Sequence, residues 1–146
     1  MIEGNIEEML STEGVYITTT VGVSMYPLLK NRRDNVVIRP VTKKLKKYDV
    51  PLYKRGDKYL LHRIIGIKEN GYIIRGDNCD KKEFDITDEN IIGVLDALWR
   101  KEKFFTVENF YYKCYSRIIV FFYPVRMLYR KTRYCLSRIK NKLLKS

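Results

Sequence analysis

The sequence predicts a mainly β fold: an antiparallel sheet or partly closed barrel in residues 1–104, then a basic amphipathic helical tail in residues 105–146. Three observations predict it. Short runs of β-branched and aromatic residues recur between turn residues. The dipeptide Asn70–Gly71 stands between two such runs, which is the strongest short hairpin signal. From about Val107 the apolar period changes from strand-like to helical, and the charge balance changes with it.

The elements follow in order. Ile2, Ile6, Met9 and Leu10 lie at helical spacing, and Gly14 is placed to end that short helix. VYITTTVGV (15–23) is β-branched or aromatic almost throughout and predicts a strand. Met25 to Leu29 then turn, with Pro27 fixing φ. NVVIRPV (35–41) predicts a second strand whose Pro40 marks an edge or an end. After the basic loop KKLKK (43–47), YLLHRIIGI (59–67) and YIIRG (72–76) pair across Asn70–Gly71. IIGVLDALW (91–99) supplies a further strand.

In the tail, Ile118, Phe121, Phe122, Val125, Leu128, Tyr129, Cys135, Leu136, Ile139 and Leu143 keep helical spacing. Arg126, Arg130, Lys131, Arg133, Arg138, Lys140 and Lys142 fill the other side, and Pro124 predicts a kink. This stripe either packs on the sheet or, through residues 107–146, lies on an anionic membrane surface. No nucleic-acid motif accompanies the basic residues, so no specific nucleic acid is expected as partner.

Charge divides the chain at the same place. The formal total is +12, with 16 Lys and Arg against 15 Asp and Glu in residues 1–99 and 13 against 2 in residues 100–146. The first part is a nearly neutral domain and the second is suited to an anionic partner. At 45% hydrophobic residues, the chain can build a core. Cys79, Cys114 and Cys135 are odd in number and far apart, which argues against a disulfide framework or a zinc site and fits a reducing compartment. No cofactor or metal is expected. MIEGNIEEML lacks the apolar core of a signal peptide, and IIVFFYPV (118–125) is too short to span a bilayer. The expected location is the cytoplasm, peripheral to a membrane at most.

A serine nucleophile needs a base to take its proton. The chain has a single histidine, His62, and a cluster of acids at Asp77, Asp80, Glu83 and Asp85. With Ser24 in VGVSMYPLL these supply the three parts of a triad, whatever their order along the chain. Each has a plainer role available: His62 as a core residue, Ser24 as a strand-end cap, Asp77 as a turn former.

Three blocks shift that balance. GVSMYPLL resembles the GxSMxPxL segment of signal peptidase I and of the related SOS-repressor-type self-cleaving proteases. YLLHRIIGI resembles the family's base-bearing strand in its histidine form, and GYIIRGDNCDKKEFD resembles its GDN segment with a trailing acid. The resemblance covers residues 14–99. It implies a serine endopeptidase that binds a peptide or protein as an extended strand and cuts a leader or signal segment. It makes Ser24 the nucleophile and His62 the base. Asp77 supports the GDN corner or orients His62, with Asp80, Glu83 and Asp85 competing for the second task. Met25, Pro27 and Arg63 take structural roles. The family commonly has a serine two residues before the nucleophile, whose hydroxyl helps hold the oxyanion; here it is Gly22. The Ser24 N–H or the Thr20 hydroxyl would have to serve instead. The alternative functions are a degenerate relative that only binds peptides, or a membrane-surface binding module.

Overall fold

The computed structural model describes residues 6–143. Helix α1 (Ile6–Glu13) buries Leu10 and stops at Gly14, whose φ of +66° suits a residue without a side chain. Ile2, predicted to begin this helix, lies outside the described residues. Among the described residues nine strands follow: β1 (Tyr16–Thr19), β2 (Asn35–Arg39), β3 (Pro51–Arg55), β4 (Lys58–Leu61), β5 (Arg63–Lys68), β6 (Gly71–Arg75), β7 (Glu83–Ile86), β8 (Ile91–Arg100) and β9 (Lys103–Thr106). Helices α2 (Phe110–Phe121) and α3 (Tyr123–Leu143) end the described chain.

The strands are antiparallel, as expected, but form two sheets rather than one. The larger has the order β1-β2-β8-β3-β4. Strand β8 is long enough to pair with β2 on one side and with β3 and then β9 on the other. Among the described residues, strands β1 and β4 keep one unpaired edge each, and both line a single cleft, so the sheet curls into part of a barrel. The second sheet is β5-β6-β7, with the predicted hairpin closing at Lys68 opposite Gly71.

Two expectations need correction. The run at 59–67 is not one strand. It breaks at His62, because β4 pairs with β3 in the first sheet while β5 pairs with β6 in the second. The run at 15–23 ends as a strand at Thr19, and residues 20–29 form an irregular loop. Three short strands, β3, β7 and β9, come in addition to those the sequence predicts. The boundary expected at residue 104 falls inside β9, which runs on to Thr106.

One core cluster joins Leu10, Met25, Leu28 and Leu29 to Val36, Ile38, Leu95, Leu98 and Tyr112. A second, between the sheets, contains Tyr53, Ile64, Tyr72, Ile74 and Ile86. Each such side chain contributes about 1.5–3 kcal/mol on burial. The first cluster holds down the loop 20–29 through Met25, Leu28 and Leu29, while leaving Ser24 partly exposed between them and the cleft. Helix α2 is capped by Asn109, whose side chain accepts from the Tyr111 N–H, and it buries Tyr112 and Ser116 against the sheets. Among the described residues no helix is long and apolar enough to cross a membrane.

Candidate active site

The His62 ring is positioned by the sheet switch. Leaving β4 and entering β5 places it in the break between the two sheets, where it is buried to 7% exposure. Its Nδ1 lies 2.8 Å from the Tyr53 hydroxyl and 3.1 Å from Glu83 Oε1. The Tyr53 hydroxyl donates its one proton to Glu83 Oε1 at 2.7 Å. Burial, then the Glu83 carboxylate, raises the Tyr53 pKa, so this proton stays in place. The proton between His62 Nδ1 and these oxygens therefore belongs to the imidazole, which leaves Nε2 with a free lone pair. Arg55 donates to the other oxygen of Glu83 at 2.7 Å and fixes the carboxylate. Burial lowers the His62 pKa below its ordinary 6.5, with Glu83 pulling the other way, so the ring is neutral at pH 7.

The backbone of Ser24 is tied to the GDN turn at residues 76–78, which also borders this ring. The Asn78 N–H donates to the Ser24 carbonyl at 2.7 Å, and the Asn78 side chain donates to the Val23 carbonyl at 3.1 Å. A Cβ added at Gly76 would lie 2.7 Å from the Ser24 carbonyl oxygen and 3.0 Å from His62 Cδ2, the carbon bonded to Nε2. Ser24 and His62 thus flank one glycine, across a space too small for a methyl group. The Ser24 hydroxyl has no hydrogen-bond partner among the described residues, and catalytic hydrogen bonds commonly tighten only in the substrate complex. Cys79 lies at the same corner, but burial raises its thiol pKa and keeps it protonated.

The acids separate into different roles. Asp77 accepts from Arg63 Nε and Nη2 at 2.8 Å each, and the Tyr115 hydroxyl donates to it at 3.0 Å. It makes no hydrogen bond to His62, so of its two expected roles it takes the support of the corner. Of the expected Ser24, His62 and Asp77, Asp77 is not bonded to the imidazole; the acid at His62 Nδ1 is Glu83. Asp80 pairs with Arg130, and Asp85 is exposed on β7. Arg63 is structural, as expected. It is fully buried and also donates to the Tyr48 carbonyl and to Ser116. Thr20 is not an oxyanion donor here, because its hydroxyl donates to the Asp34 carbonyl at 3.0 Å. Gly22 has φ +100°, a conformation that serine rarely adopts, and its N–H donates to Asn31 at 2.9 Å. The Ser24 N–H, which has no acceptor among the described residues, remains to hold an oxyanion.

Tyr53 and Arg55 were not singled out from the sequence. A signal existed in Gly56–Asp57, the turn that joins β3 to β4 and aligns Tyr53 with Leu60, two residues before His62. Ser24 also lines a cleft of about 220 Å³, with Tyr16, Thr18, Leu52, Tyr59 and Leu61 on its walls. The chain matches no protein-family model and no curated protein. Among the described residues no group of His, Cys, Asp or Glu is placed to hold a metal ion.

Proposed function

We propose that this chain is a serine endopeptidase that cleaves a leader or signal segment of a peptide or protein, with chemistry like that of signal peptidase I. The observation that supports the reading is that Gly76 packs against both the Ser24 carbonyl and the neutral, oriented His62 ring, while Ser24 lines a largely apolar cleft. An extended peptide entering that cleft would meet the free edges of β1 and β4 and add a strand to the curled sheet. The apolar walls suit apolar or small residues before the cut.

In the reaction, Ser24 Oγ attacks the scissile carbonyl carbon while His62 Nε2 takes the hydroxyl proton. The developing oxyanion is held by the Ser24 N–H. Glu83 stabilises the imidazolium at Nδ1, as the third member of a triad does. The C–N bond then breaks and His62 returns the proton to the leaving amine. Water, losing a proton to His62, hydrolyses the acyl-enzyme and restores Ser24. With Gly22 in place of a hydroxyl donor, the rate is expected to be about 100- to 1000-fold below that of a site with both donors.

The test is labelling by a fluorophosphonate probe, read by intact-protein mass spectrometry. One adduct on Ser24 is expected, lost in Ser24→Ala and reduced about 100-fold or more in His62→Ala. A folded wild-type protein that takes up no probe would overturn the reading in favour of a peptide binder. Undiminished labelling in His62→Ala would remove the base assignment.

A further inference from the structure

Helices α2 and α3 present their faces in an unusual order. Two of the basic side chains are turned toward the GDN corner. Arg126 donates to the Asp77 carbonyl at 2.9 Å and to the Asn78 side chain at 3.1 Å. Arg130 donates to the Asn78 carbonyl at 3.1 Å and pairs with Asp80 at 2.9 Å. Tyr123 donates to the Asp80 carbonyl at 2.7 Å, and its ring lies 3.0 Å from the buried Arg75 guanidinium. The apolar stripe is turned outward: Ile118, Phe121, Val125, Leu128, Tyr129 and Leu136 are 55 to 77% exposed. The packed alternative, in which this stripe covers the sheet, is therefore not the arrangement found. Rolling the stripe inward would break the charge-assisted bonds to the GDN corner.

So large a run of exposed aromatic and aliphatic side chains marks an interaction surface. Its surroundings select the occupant. No Asp or Glu occurs from Phe110 to Leu143, and Lys131, Arg133 and Arg138 stand exposed beside the stripe. A second copy would bring the same positive charge to the contact. An anionic lipid surface brings the opposite charge and an apolar layer of the right depth. The side chains of Ile139, Lys140, Lys142 and Leu143, also assigned to this helix by the sequence, lie outside the described residues.

We propose that the outer face of α2–α3 lies in the surface of an anionic bilayer, with Arg126 and Arg130 remaining on the GDN corner. The helix lies along the interface and does not span it. One helix pair thereby holds the Ser24–His62 corner on one side and lipid on the other, so that the candidate site stands at a fixed height above the headgroups. The binding itself does not depend on hydrolysis.

Co-sedimentation of the whole protein with phosphatidylcholine/phosphatidylglycerol vesicles tests this. Binding is expected at low ionic strength, with weakening in high salt and no binding to phosphatidylcholine alone. Lys131→Ala and Arg133→Ala should each weaken it about fivefold. The double variant Phe121→Glu, Leu128→Glu should abolish it, while fluorophosphonate labelling and circular dichroism, which report an intact fold, stay unchanged. Absence of binding to the mixed vesicles overturns the proposal. So does undiminished binding by the double variant, which would reveal attraction by charge alone. Self-association by sedimentation velocity that the double variant removes, without vesicle binding, would make a second copy the occupant.

Discussion

Glu83 and Asp77 are both carboxylates near the one imidazole of the chain, yet their surroundings give them different work. Glu83 faces Nδ1 of His62 and is shared with Tyr53 and Arg55. Asp77 is spent on a buried guanidinium. Substitution should separate the two. Glu83→Gln keeps the shape and removes the charge that favours the imidazolium. The rate of fluorophosphonate labelling is expected to fall about 100-fold, with little change in the urea midpoint. Because Glu83 raises the His62 pKa against burial, its loss should also shift the acid limb of labelling to lower pH. Asp77→Asn leaves Arg63 charged, buried and half-paired, at a cost of about 3–5 kcal/mol in urea unfolding. A stable Asp77→Asn with lost labelling, beside an unaffected Glu83→Gln, would reverse these roles. The sequence brought four acids into contention and could not choose among them. The choice depends on where β7 crosses β3, and no local spacing encodes that.

At the scale of elements, the candidate site is a meeting of two irregular segments. The loop 20–29 is anchored by three buried apolar side chains and the GDN turn by hydrogen bonds to Ser24 and Val23. Gly76 has no room for a side chain between them. Gly76→Ala must push the Ser24 carbonyl, the Cys79 thiol and the His62 ring apart, since a Cβ there would stand 2.7 to 3.0 Å from each. Loss of fluorophosphonate labelling is expected at a temperature where circular dichroism still reports a folded chain. Labelling at the wild-type rate would mean that Ser24 and His62 do not need this approach. The strands that could be read from sequence were those with long apolar runs, such as β8, and the hairpin marked by Asn70–Gly71. The break at His62 could not, because YLLHRIIGI has strand chemistry on both sides of the histidine. Only the pairing partners divide it. The turn at Met25 to Leu29 was legible from Pro27, but residues 20–23 were hidden for a related reason: Val21 and Val23 carry strand propensity but are exposed, and tertiary packing of Met25 and Leu29 decides the path.

Over the whole molecule, the sequence located the charge but not where it points. The +11 of the last part of the chain suggested basic residues facing a partner, and two of those arginines instead bind the protein itself. Buried charge elsewhere sets how the protein responds to acid, in two separable windows. His62 resists protonation in the folded state because burial outweighs Glu83, whereas the unfolded chain takes up the proton near pH 6.5. The stability tied to His62 is therefore fully present above pH 6.5 and is lost as pH falls from there to its lower folded pKa. Asp34 acts deeper in acid. Burial would raise its pKa, but donors from Arg33 and the Lys30 N–H overcome this and hold it below the ordinary 3.8. Its contribution persists above 3.8 and disappears below. Urea midpoints followed from pH 8 downward should begin to drop just below pH 6.5. His62→Gln should remove that first decline and leave the one near pH 4. Labelling of Ser24, which needs neutral His62, should stay level through pH 6.5 and fall only below it. A labelling rate already halved at pH 7 would mean that His62 holds its proton more tightly than its buried position allows, and the neutral base at the centre of the site would be lost.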